Sequence, residues 1–176
     1  MIQIVADSST LILLAKCDLA EAVCDMFEVI VPESVIAEVA SEDLTRNYPD
    51  AAAIAEFFSK GAIEVQSPLR SNLLLPITLH KGEKDALELA YERKGALFAT
   101  DDGKAIKAAR FLKVPYIITP KIVVELFGLR KISLKKARDS LEKLAVLGRY
   151  SPEIIADALV KLMEESHDQT HDNKNT

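Results

Sequence analysis

Short apolar runs alternate along the chain with longer stretches whose apolar residues recur every three or four positions. The runs IQIVA (2–6), FEVIVP (27–32), AIEVQ (62–66), ALFAT (96–100) and PYIIT (115–119) read as strands. They are largely continuous rather than alternating in polarity, the pattern of strands buried on both faces. The spacing predicts helices between them: from Ser8 to Lys16, with Ser8 or Ser9 available as N-cap; PESVIAEVA from Pro32; PDAAAIAEFFS (49–59), stopped near Gly61; GEKDALELAYERKG (82–95), with Gly95 as its stop; and GKAIKAARFLK (103–113). LRSNLLLPITLHKG (69–82) reads as a loop or edge segment. PKIVVELFGLR, SLKKARDSLEKLAVLG and SPEIIADALVKLMEE are three closing helices, each opening on a Ser or Pro start signal. Strand–helix alternation of this kind predicts an α/β domain built on a parallel sheet.

A length of 176 residues suits one domain with a sizeable core. We expect a single domain over 1–164, with a core over 1–125, C-terminal helices over 126–164 and a disordered polar tail over 165–176. No run of about 18 apolar residues exists, so no membrane span is expected. The N-terminus lacks a basic segment, and Asp7 interrupts its apolar stretch, which argues against a signal peptide. Cys17 and Cys24 form no C-x-x-C pair, and their spacing of seven on a helical stretch suggests buried, reduced thiols in a cytoplasmic protein. A net charge of −5 excludes a protein whose main task is to coat nucleic acid, but not an enzyme that acts on it.

The acids are placed informatively. In parallel α/β sheets, ligands bind beyond the carboxyl ends of the strands. Asp7 ends the first strand, and Asp101 and Asp102 end the fourth. Glu38 lies on the helix after the second strand, beside the apolar positions Val35, Ile36 and Val39, with no Lys or Arg within a helical turn. Glu83 opens the helix before the fourth strand; Asp85, two residues on, faces another side. Each has an ordinary reading: Asp7 as an N-cap, Asp101-Asp102-Gly103 as a turn and helix start, Glu83 as a first-turn acid, Glu38 as a solvated residue. Their joint placement, without basic partners, is what suggests a divalent cation.

VADSSTLILLAK, VPESVIAEVA, LHKGEKDALELA and FATDDGKAIKAA occur in the order and approximate spacing of the PIN-domain family, which the chain resembles over about residues 2 to 125. That family comprises metal-dependent ribonucleases, many of them VapC-type toxins paired with an antitoxin. The segment FGLRKISLKKARDSLEKLAVLGRYSPEIIADAL resembles the C-terminal helices of one uncharacterised prokaryotic branch. The resemblance implies a three-layer α/β/α sandwich with a mostly parallel central sheet, a Mg²⁺ or Mn²⁺ site and hydrolysis of an RNA phosphodiester. It matches the family's four acids to Asp7, Glu38, Glu83 and Asp102, with Asp85 as the alternate for Glu83 and Asp101 as the alternate for Asp102. It points to Ser9 and Thr100 as hydroxyls that orient the ligand carboxylates.

Other chemistries fit poorly. Two of the three histidines, His167 and His171, lie near the C-terminus and His80 stands alone, so no Ser-His-Asp or Cys-His site is assembled. No phosphate-cradling Gly-rich motif supports a flavodoxin-like nucleotide domain. For RNA contact, Lys104, Lys107 and Arg110 recur every third residue, with Lys113 continuing the series, on the helix that begins beside Asp102. Arg130, Lys131, Lys135 and Lys136 form a second basic group. Leu134, Ala137, Leu141, Leu144 and Leu147 fall at helical spacing; core packing explains them, and part of that surface could serve a homodimer or an antitoxin groove. The sequence reading is thus a metal-dependent ribonuclease of the toxin type. Its rival is a catalytically silent PIN-like module that binds RNA or protein.

Overall fold

The computed structural model describes residues 1–69 and 73–172. Its first unit, Met1–Thr119, is built on a five-stranded sheet of β1 (Ile2–Ala6), β2 (Phe27–Val31), β3 (Ile63–Val65), β4 (Leu97–Ala99) and β5 (Tyr116–Ile117). All pairings are parallel, in the order β3-β2-β1-β4-β5. The helices are α1 (Ser8–Lys16), α2 (Ala20–Cys24), α3 (Glu33–Val39), α4 (Glu42–Asn47), α5 (Pro49–Ser59), α6 (Lys81–Glu92), α7 (Gly103–Leu112), α8 (Thr119–Gly128), α9 (Leu134–Leu147) and α10 (Pro152–Asp172). Right-handed crossovers would put the helices joining β1, β2 and β3 on one face and those entering β4 and β5 on the other. In keeping with this, α1, α2 and α5 pack together, as do α6 and α7, while α3 contacts both α1 and α6. The result is the expected α/β/α sandwich.

The three central strands are buried on both faces: Ile4, Val5, Ala6, Ile30, Val31, Phe98 and Ala99 are essentially inaccessible. This is why the runs carry no alternation. The connection from β1 goes to β2 on one side, while β4 lies on the other. The chain therefore reverses its direction across the sheet at β1 and β4, and the carboxyl ends of these strands are where ligands bind in such folds. Ala6 pairs with Ala99, so the residues that follow, Asp7 and Thr100, emerge side by side.

Several boundaries differ from the sequence reading. The N-cap of α1 is Asp7 itself rather than Ser8 or Ser9. Pro32 is likewise the residue before α3, not its first. The PYIIT strand shrinks to Tyr116–Ile117, because Thr119 already begins α8. Helices α2 and α4 were not foreseen; α4 buries none of its residues, so it has no apolar stripe to read. Cys17 and Cys24 do not share a helix: the first caps α1 and the second ends α2, and neither is in a disulfide. Gly61 and Gly95, read as helix stops, have φ of +68° and +96°.

The second unit begins at Pro120, inside α8. In it α9 and α10 pack against each other. Ala137, Leu141 and Leu144 are fully buried, while Leu134 and Leu147 at the ends of the predicted stripe are exposed. Where a disordered tail was expected from 165, the backbone stays helical through Asp172. Residues 173–176 of that tail, and 70–72 of the expected loop, lie outside the described residues. No helix among the described residues is long and apolar enough to cross a membrane.

Candidate metal centre

Asp7 stands at the carboxyl end of β1, beside that of β4. It is completely buried. Its amide continues the sheet ladder to the Ala99 carbonyl at 3.1 Å. Its Oδ1 accepts the Thr10 amide at 2.9 Å and the Ser9 hydroxyl at 2.7 Å; its Oδ2 accepts the Thr100 hydroxyl at 2.5 Å. Burial pushes the carboxyl up from 3.8 to about 6, with the Thr100, Thr10 and Ser9 hydrogen bonds pulling it down and the Asp101 charge adding to the rise. The strand end thus positions the acid, α1 takes it as a cap, and among the described residues no basic side chain pairs with it.

Asp102 sits beyond β4 and caps α7: its Oδ1 accepts the amides of Lys104 at 2.7 Å and Ala105 at 2.9 Å. Both cap bonds fall on one oxygen, leaving Oδ2 uncommitted to the cap. Its own amide donates to Thr100 Oγ1 at 3.2 Å. Thr100, itself fully buried, therefore bridges Asp7 and Asp102. Asp101 turns the other way, accepting the Thr119 amide at 2.8 Å and the hydroxyls of Thr119 and Thr10.

Glu38 is exposed at the end of α3, and it finds neutral partners rather than a charge. The Ser8 hydroxyl donates to its Oε2, and the Gly82 amide donates to its Oε1 at 3.0 Å. Ser8 thus links the turn after Asp7 to Glu38. Glu83 folds back to accept the amide of His80 at 3.0 Å. Asp85 accepts the Ser34 hydroxyl at 2.6 Å. As i and i+2 spacing requires, Glu83 and Asp85 serve different neighbours.

The structure therefore groups Asp7, Asp102 and Thr100 through shared hydrogen bonds, and joins Glu38 through Ser8. It commits Glu83, Asp85 and Asp101 to protein donors. Among the described residues, no salt bridge involves Asp7, Glu38 or Asp102. Their hard oxygens suit Mg²⁺ or Mn²⁺, and the buried, cation-free Asp7 is the kind of group such an ion would stabilise. In donor chemistry the residues fit. In geometry, no three candidate ligands among the described residues are gathered closely enough to hold an ion where they stand.

Sequence reasoning did not single out Thr10, Thr119, Ser8, Ser34 or Gly82. Thr10 and Ser8 were visible only as part of a hydroxyl run, and nothing in sequence marks Thr119. Glu88 was also passed over. It is buried on α6, its oxygens find no hydrogen-bond partner among the described residues, and Lys84 Nζ stands 3.7 Å away. On the expected RNA-facing helix α7, Lys104 and Lys107 are exposed, while the Arg110 guanidinium donates to the Tyr116 hydroxyl at 2.6 and 3.0 Å and lies over its ring.

No curated protein matches this chain. A family model, DUF3368, described as a PIN domain, matches residues 3–165. That span covers both the acid-bearing sheet and the closing helices, so the chain belongs to the PIN-domain family.

Proposed function

We propose that this protein is a Mg²⁺- or Mn²⁺-dependent ribonuclease. The observation that carries the reading is Asp7: a fully buried acid at the end of the central strand, without a cation, tied through Thr100 to Asp102. Asp7, Glu38 and Asp102 would hold the ion. Glu83 would join them by leaving the His80 amide, or Asp85 by leaving the Ser34 hydroxyl. Once bound, a divalent ion supplies a water of lowered pKa and neutralises charge on phosphoryl oxygens. The chain's part is to hold the carboxylates: Ser9 and Thr10 fix one oxygen of Asp7, and Thr100 fixes the other. Lys104 and Lys107, exposed on the helix capped by Asp102, would draw the phosphate chain toward it.

The motif resemblance extends the proposal to a VapC-type toxin, with an antitoxin as partner and a homodimer as the working form. One observation favours the second reading, a silent RNA- or protein-binding module: the acids do not already converge. A Mn²⁺ titration by calorimetry on the wild type and on Asp7→Asn separates the two. The ribonuclease reading expects binding by the wild type, at least about tenfold weaker binding by the variant, and RNA cleavage and growth arrest on expression by the wild type alone. Absence of Mn²⁺ binding, even with an uncleavable RNA present, would leave the silent module.

A further inference from the structure

Asp101 and Asp102 are neighbours in sequence, yet their carboxylates are used in different ways. Asp102 spends one oxygen on the cap of α7. Asp101 spends both on donors from other strands' ends. Its Oδ1 accepts the Thr119 amide at 2.8 Å, and its Oδ2 accepts the Thr119 hydroxyl and, at 3.2 Å, the Thr10 hydroxyl. Its amide donates to Ser9 Oγ at 3.2 Å. Thr10 and Thr119 are both completely buried and Asp101 is half-buried, so competing water is largely kept from the threonine side of these bonds.

The pattern gains meaning from what Ser9 and Thr10 do. They supply the two hydrogen bonds on Asp7 Oδ1. Each is held in turn by Asp101: Ser9 through its oxygen, Thr10 through its hydroxyl. We infer that Asp101 is a positioning residue rather than an ion ligand: it clasps the Ser9–Thr10 turn to Thr119, thereby fixing Asp7, and leaves Asp102 as the member of the pair that faces the ion. The statement about ligation rests on the metal-dependent reading above; the clasp does not.

The chemistry of Asp and Asn provides the test. A carboxylate only accepts, but a Thr hydroxyl both donates and accepts. Asp101→Asn can keep the clasp, accepting the Thr119 amide with its oxygen and donating to the hydroxyls with its nitrogen. Asp101→Ala cannot. Amide hydrogen exchange on the full chain without metal reads the clasp directly. Asp101→Ala should speed exchange at Thr10 and Thr119 by about tenfold or more, and Asp101→Asn should restore protection. Asp102→Asn should leave both amides unchanged. Mn²⁺ calorimetry on the same proteins reads ligation. Binding should weaken by about tenfold in Asp101→Ala and recover in Asp101→Asn, but not in Asp102→Asn. Unchanged exchange at Thr10 and Thr119 in Asp101→Ala would overturn the clasp. An Asp101→Asn protein with intact protection that binds Mn²⁺ as poorly as Asp102→Asn would make Asp101 a ligand. If the wild type bound no Mn²⁺ while the exchange pattern held, the metal reading would fail and the clasp would stand.

Discussion

Asp7 is both a helix cap and a buried acid, and the two roles have opposite electrostatic consequences. The cap and hydroxyl bonds favour the carboxylate, but the loss of water disfavours it more, which holds the group at about 6 against 3.8 in the unfolded chain. Between those values the folded state keeps a proton that the unfolded state has released. Stability without metal therefore falls as pH rises from about 4 to about 7, by about 3 kcal/mol from this group. Asp7→Asn should lose that slope and exceed the wild type in stability at pH 7.5 without metal. Urea denaturation at pH 5 and 7.5 measures the difference, and parallel curves for the two proteins would contradict it. The cap reading of Asp7 holds, and it leaves room for the functional one. The cap is visible in the DSST pattern, whereas the complete burial that makes the acid unusual is not.

At the level of elements, the approach of α6 to α3 depends on one missing side chain. A Cβ on Gly82 would stand 2.6 Å from Glu38 Oε2 and 2.8 Å from Oε1. The obstructing atoms are the end of an exposed, flexible side chain, so Glu38 rather than the backbone would yield. Gly82→Ala should leave stability unchanged or raise it by under about 1 kcal/mol, since Ala is the better helix former. It should still weaken Mn²⁺ binding by displacing Glu38 from the Gly82 amide and Ser8. Thermal melting and calorimetry on one preparation separate these effects; unaltered Mn²⁺ affinity would detach Glu38 from the site. The sequence showed Glu38 near an apolar stripe and lacking a basic partner, but the neutral donors come from Ser8 and Gly82, 30 and 44 residues away. Long-range partners of this kind leave no periodic trace.

For the whole molecule, a net charge of −5 opposes a polyanion, so any attraction for RNA must be local. Lys104, Lys107 and Arg110 are all exposed on the helix capped by Asp102, but Arg110 is engaged by Tyr116. Replacing both lysines by Glu should weaken RNA binding and lower the slope of log affinity against log salt by about 1.4, about 0.7 for each lost single-strand phosphate contact. The Arg110→Ala slope should change less. Binding measured across a salt series decides this, and an unaltered slope in the double variant would move the RNA path off α7.

Taken alone, the sequence determined the class of the fold and the order of its strands and longer helices along the chain, but not the short helices α2 and α4. Burial on both faces imposes continuous apolar runs, and amphipathic helices carry a period that can be read locally. It also placed acids at strand ends, because turn and cap chemistry is local too. The tertiary structure alone decided the strand order β3-β2-β1-β4-β5, which sets Asp7 beside Thr100 across 93 residues of chain. It separated Asp101 from Asp102, turning one toward Thr10 and Thr119 and the other onto its helix. It drew Glu83 and Asp85 to their own neighbours. Which atom of a carboxylate meets which donor depends on the pairing of distant elements, and no local pattern encodes that pairing.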